Sequence, residues 1–120
     1  MSATIADLKM RLSRTREINI SVTGSKSGRT ISVPVWFVLD GDQVLLLPVS
    51  GSDTQWYKNV LKNPSLQVSS GSANAILKAT PITASKEVAA VADKFRKKYG
   101  AGDVKKYYSK LDVAVAAEAR

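Results

Sequence analysis

The chain has 120 residues, 44% of them apolar, with neither cysteine nor histidine and a formal net charge of +8 from 18 basic and 10 acidic side chains. That length predicts one domain over residues 1–120 around a single core, and no apolar run nears the ~20 residues that span a bilayer or forms a signal segment, so a cytoplasmic protein is expected. Without thiol or imidazole, disulfides, the usual zinc sites and every imidazole-based triad are excluded, and an enzyme built from this chain would rely on a cofactor for its chemistry.

Ile5, Leu8 and Leu12 recur at helical spacing and predict a short amphipathic helix within 3–14. Over 17–23, Ile18, Ile20 and Val22 alternate with polar neighbours, the pattern of a strand. The stretch Thr23-Gly24-Ser25-Lys26-Ser27-Gly28-Arg29 follows. Its glycines let the backbone turn tightly, its hydroxyls can donate to oxygens, and Lys26 and Arg29 add positive charge, so it reads as a phosphate cradle or as a plain surface hairpin loop. It is not a Walker loop, which ends in Gly-Lys-Ser/Thr and opens a helix. Here 30–39 reads as a strand, with Ile31, Val33, Val35, Phe37 and Leu39 on one face and Ser32, Pro34, Trp36 and Val38 on the other.

Asp40-Gly41-Asp42 predicts a tight hairpin turn into a third strand over 43–49. After Ser50-Gly51-Ser52-Asp53, with Ser52 or Asp53 as N-cap, a helix is expected over 54–62 and ends at Asn63-Pro64. Strands over 65–70 and 74–83 flank the turn Gly71-Ser72-Ala73, and Pro81 implies an edge or a bulge. A helix capped by Ser85 runs to Tyr99 with Val88, Val91, Ala92 and Phe95 on one stripe; Gly100-Ala101-Gly102 breaks it. A helical turn then carries Tyr107 and Tyr108, and 111–119 makes a sixth strand.

Six strands that begin as a meander, without early βαβ crossovers, predict a mainly β protein with helices: a six-stranded antiparallel split β-barrel. Lys94, Lys97, Lys98, Lys105, Lys106 and Lys110 read as a solvated helix face, and with no recognition-helix or aromatic RNA-binding signature beside them a nucleic-acid partner is not expected.

Four segments, Thr23 to Gly28, Val33-Pro34-Val35-Trp36-Phe37, Asp40-Gly41-Asp42, and Trp56-Tyr57-Lys58-Asn59-Val60-Leu61-Lys62-Asn63-Pro64, resemble in order and approximate spacing a known family. It is the deazaflavin-dependent nitroreductase and quinone-reductase family, within the flavin-binding split barrels that include pyridoxamine phosphate oxidase. The chain departs from that pattern at Ser25 and Ile31, where the family often has arginine, and in a shorter loop between Ser50 and Trp56.

The resemblance implies that Lys26, Ser27, Gly28 and Arg29 sit at a cofactor phosphate. Pro34, Val35 and Trp36 would line the ring site with backbone amides at the ring edge, and Ser50 and Gly51 would form the opposite wall. Trp56, Tyr57 and Asn59 would position that loop and part of the phosphate site; plain core packing is the other reading of Trp56 and Tyr57, and the favoured one for Trp56. The implied activity is hydride transfer from the reduced deazaflavin coenzyme F-420 to a small organic acceptor such as a quinone or nitro compound, in a chain that pairs as a homodimer. The alternatives are an FMN-binding reductase of the same fold and a non-catalytic module that holds a flavin-like or other anionic ligand.

Overall fold

Apolar alternation is realised as six strands: β1 (Glu17–Thr23), β2 (Thr30–Asp40), β3 (Gln43–Leu46), β4 (Ser65–Ser70), β5 (Ala73–Ile82) and β6 (Ala114–Ala119). The computed structural model describes residues 17–23, 30–40, 43–70, 73–108 and 110–119; the expected helix within 3–14, the loop 24–29, and Gly41, Asp42, Gly71 and Ser72 lie outside the described residues. All six strands pair antiparallel in the closed order β1-β2-β3-β6-β5-β4, with β4 returning to β1. The helices are α1 (Gln55–Lys62), α2 (Ser85–Tyr99) and α3 (Ala101–Tyr107), with a 3-10 turn at Gly51–Asp53. The six-stranded antiparallel barrel expected from the sequence is therefore the architecture observed. No described helix is long and apolar enough to cross a membrane.

Two apolar clusters share the strands between them, and the period of two along each strand divides them. Inside the barrel, Ile18, Ile20, Val22, Phe37, Val44, Leu46, Leu66, Val68, Val115 and Ala117 pack together, and α1 adds Trp56, Tyr57 and Val60. On the outer face, Val38, Leu45, Leu47, Ala114 and Ala116 pack against Val91, Ala92, Phe95 and Tyr99 of α2, Val104 of α3, and Tyr108. Strands β3 and β6 are thus covered on both faces over 44–46 and 114–117, which is why those stretches are apolar throughout. The alanines at 114 and 116 have little side chain to hold the helices away.

Several boundaries differ from the sequence expectation. Strand β3 ends at Leu46 instead of reaching Val49, since Pro48 has no N–H for a ladder and its carbonyl accepts from Gly51 N at 3.1 Å to turn the chain. Thr54 and Ala84 take the N-cap positions, neither with a side-chain capping bond, in place of Ser52 or Asp53 and Ser85. Gly100, at φ 99, ends α2 by itself; Ala101 and Gly102 already belong to α3. Strand β6 begins at Ala114 instead of Leu111, because Lys110 and Asp112 turn toward the 3-10 turn. Pro81 lies beyond the last β4–β5 pair, Ser65↔Lys78, and opposes Val115 of β6, so it stands on a local edge as expected.

Candidate functional site

The barrel leaves one stretch of β2 open. Strand β1 pairs with β2 from Thr30 to Trp36, but β3 pairs with it only from Phe37 to Asp40. From Thr30 to Trp36 the second edge of β2 therefore has no strand partner among the described residues. Pro34 fits such an edge because it has no N–H to lose.

A cleft of about 370 Å³ opens beside this edge. Pro34, Val35 and Trp36 line one wall, Leu47 and Val49 another; Tyr107 and Tyr108 come from the end of α3, and Glu17 closes the start of β1. The volume lies within the range of about 300–1,000 Å³ typical of small-molecule sites. Apolar walls with a few phenol and carboxyl groups suit a flat, partly polar ring system.

Trp36 is the centre of an aromatic group. Its ring stacks on Tyr99 with centroids 4.2 Å apart and planes 9° apart. Tyr107 meets it edge-on at 5.3 Å and Tyr108 at a tilt at 6.1 Å. Phe95 packs beneath, 5.8 Å from Tyr99 and 5.9 Å from Tyr108. Each such pair adds about 0.5–1.5 kcal/mol beyond burial, so the wall is held by several small terms acting together.

Backbone contacts reinforce it. The Tyr99 hydroxyl accepts from Phe37 N at 3.1 Å and donates to Phe37 O at 2.8 Å. Lys98 Nζ donates to the same carbonyl at 2.9 Å and lies 3.6 Å over the Phe37 ring. Tyr108, only 7% exposed, has no hydrogen-bond partner for its hydroxyl among the described residues. Burial, with a smaller contribution from Tyr99, pushes its pKa well above the ordinary phenol value, so it remains a neutral donor.

A second polar group sits at the loop after Val49. Ser52 N donates to Asp112 Oδ1 at 3.0 Å and Ser52 Oγ to Oδ2 at 2.7 Å; Lys110 Nζ reaches Asp53 at 3.3 Å and Asp112 at 3.7 Å. The Ser52 hydroxyl is the main reason that the Asp112 carboxyl is held below its ordinary pKa, and the Asp53 hydrogen bond is the main reason that Lys110 is raised. Asp112 also adds to the upward shift that burial imposes on Tyr57.

Of the residues singled out in the sequence, Pro34, Val35 and Trp36 come together in the cleft wall. Ser50 and Gly51 follow Val49 but are not among the lining residues; Ser50 N instead donates to Thr54 Oγ1 at 2.8 Å. Trp56 and Tyr57 lie in the barrel core, and the buried Asn59 accepts from Gln55 Nε2 through Oδ1 at 3.0 Å. None of these three lines the cleft. Lys26, Ser27, Gly28 and Arg29 lie outside the described residues.

Sequence reasoning left Glu17, Leu47, Val49, Tyr99, Tyr107, Tyr108, Ser52 and Asp112 out of the site. A signal existed for the tyrosines: Tyr99 follows Phe95 by one helical turn, and Tyr107-Tyr108 is an aromatic pair at a helix end. None existed for Ser52 with Asp112, sixty residues apart.

Among solved structures, a reductase dependent on F-420-H2 is 20% identical, with a TM-score of 0.66 and with 86% of this chain and 94% of that one covered. A domain-swapped dimer is 17% identical, with a TM-score of 0.68 and 98% of each chain covered. The heme storage protein HutZ of Vibrio cholerae is 12% identical, with a TM-score of 0.67 and coverage of 96% and 89%. At such identities the likeness is one of fold alone. No curated protein matches the chain in sequence. Residues 8–119 match the family described as an uncharacterized protein conserved in bacteria (DUF2255), and the chain belongs to that family.

Proposed function

We propose that the cleft beside Trp36 takes the ring of a deazaflavin coenzyme, F-420, and that the protein is an oxidoreductase acting on a small organic acceptor such as a quinone or nitro compound. The observation that carries this reading is the open edge of β2 at Pro34 to Trp36, beside a cleft of about 370 Å³ that Tyr107 and Tyr108 also line. The fold shared with a reductase dependent on F-420-H2 supports it.

The donor set fits a planar ring: an apolar wall for its face, free strand edge for its polar rim, and a neutral Tyr108 hydroxyl that can donate to an oxygen in the cleft. When bound, the reduced coenzyme supplies the hydride. Lys26, Ser27, Gly28 and Arg29 are proposed for the phosphate. Pro34 stands four residue steps along the strand from Thr30, the residue after that loop, or about 13 Å at ~3.3 Å per residue. A ligand bound at both places must carry its phosphate at about that distance from its ring. Ser50, Gly51, Trp56, Tyr57 and Asn59 would support the loop behind Val49.

FMN is the alternative occupant of the same cleft. Heme has less support, because the chain has no histidine or cysteine, two of the common axial ligands. A homodimer is proposed on the likeness to a domain-swapped dimer.

Titration of the purified protein with F-420 and, separately, with FMN, following fluorescence and melting temperature, tests the reading. Binding of F-420 with a raised Tm is the expected result. Preference for FMN would transfer the site to that cofactor, and binding of neither would overturn the proposal.

A further inference from the structure

We propose that Tyr99 is the positioning residue of the cleft: its hydroxyl takes the place of a neighbouring strand at Phe37, and its ring holds Trp36 in the wall. The role in ligand binding rests on the reading of the cleft as a ring site, whereas the role in orienting Trp36 does not.

Among the described residues the β1–β2 ladder runs as far as Glu17↔Trp36, so on the β1 side Phe37 is the first β2 residue past the last described rung. A backbone N–H and C=O at such a place need partners when buried. The Tyr99 hydroxyl meets both, at 3.1 Å and 2.8 Å, and the Phe37 side chain is fully buried. One side chain from the last residue of α2 thus extends the ladder by a position. The same side chain stacks on Trp36 at 4.2 Å, so the backbone bonds and the stack fix adjacent residues of β2 together.

Tyr99 also sets where Tyr107 and Tyr108 join the lining. Gly100 follows it at φ 99, and α3 begins at Ala101, so the path of α3 starts from the residue clamped to β2. Tyr107 and Tyr108 at the far end of that path face Trp36 at 5.3 Å and 6.1 Å. The placing of Trp36 and of these two tyrosines therefore starts from one hydroxyl and one ring. Lys98 also donates to the Phe37 carbonyl, but an ammonium has no acceptor for the Phe37 N–H and is not expected to substitute.

The test compares Tyr99→Phe, which keeps the ring and the core volume, with Lys98→Met and with Val60→Ala in the barrel core. Near-ultraviolet circular dichroism of the ligand-free proteins reads the order of Trp36, and titration with F-420 and FMN reads the cleft. Tyr99→Phe is expected to weaken the near-ultraviolet signal and to lower affinity by about tenfold, the scale of one lost buried hydrogen-bonding group. Val60→Ala should lower Tm by at least as much while keeping both the signal and the affinity. An unchanged near-ultraviolet signal in Tyr99→Phe, or equal losses in Lys98→Met or Val60→Ala, would overturn the positioning role. If the unaltered protein binds neither cofactor, the ring-site reading fails alone, and the dichroism still decides the role of Tyr99.

Discussion

The Asp112 carboxylate fills the space that a side chain at Gly51 would need, so a glycine at 51 and an acid at 112 are two halves of one contact. Gly51 has φ 57, a conformation that other residues adopt at a cost, and it is buried. Asp112 can move aside only by giving up both hydrogen bonds to Ser52. Through this contact the strand-to-helix loop behind Val49 is joined to the segment that enters β6.

Gly51→Ala is therefore expected to destabilise the fold by about 1–3 kcal/mol, from left-handed strain together with displacement of Asp112. Gly102→Ala is the control, since nothing lies within 4 Å of an added Cβ there and the residue is helical. It should stabilise by about 0.5–1 kcal/mol. Urea unfolding measures both; equal stability of the two variants would remove the Gly51–Asp112 contact from the account.

Acid should weaken the same contact. The folded-state pKa of Asp112 is lowered, chiefly by the Ser52 hydroxyl, so its stabilising contribution is complete above the ordinary carboxylate pKa of about 3.9 and is lost as pH falls through the lowered value. The stability difference between the parent and Asp112→Asn should accordingly shrink between about pH 5 and pH 2. A difference that stays constant over that range would assign the loss to shape instead of charge.

Trp36→Leu should change the absorbance or fluorescence of bound F-420 or FMN, because the indole lines the cleft. It also removes the stack on Tyr99, so a fall of about 1–2 kcal/mol in stability is expected from the lost aromatic pairs. A bound-ligand spectrum identical to the parent's would take Trp36 out of the site.

Lys26→Ala is expected to weaken cofactor binding while leaving Tm nearly unchanged, as a side chain that serves only a ligand's phosphate would. Isothermal titration beside a thermal melt checks this. Matching losses of affinity and Tm would give Lys26 a structural role in place of phosphate binding.

Much of the barrel was legible because strand alternation is a local property. Ile18, Ile20 and Val22, or Phe37 against Trp36 and Val38, declare their two faces with no knowledge of partners, and the structure puts those faces in different clusters. The same reasoning reached Pro34, Val35 and Trp36 as a set, since they are neighbours on one strand. It overextended β3 past the local turn from Pro48 to Gly51, and β6 because Asp112 takes its turn from a contact sixty residues away.

By itself, then, the sequence determined the type and order of the described strands and helices, the alternation that gives β1 and β2 two faces, and the exclusion of thiol and imidazole chemistry. Those follow from residue type and short-range periodicity. The single core expected from length is two clusters in the structure. Only the tertiary structure decided that β2 keeps an open edge beside Trp36, that Tyr99 closes the ladder at Phe37, and that Tyr107 and Tyr108 face the same cleft. Each of these depends on where α2 and α3 come to rest against the barrel, and that is set by packing between residues some sixty positions apart, which leaves no periodic trace in the chain.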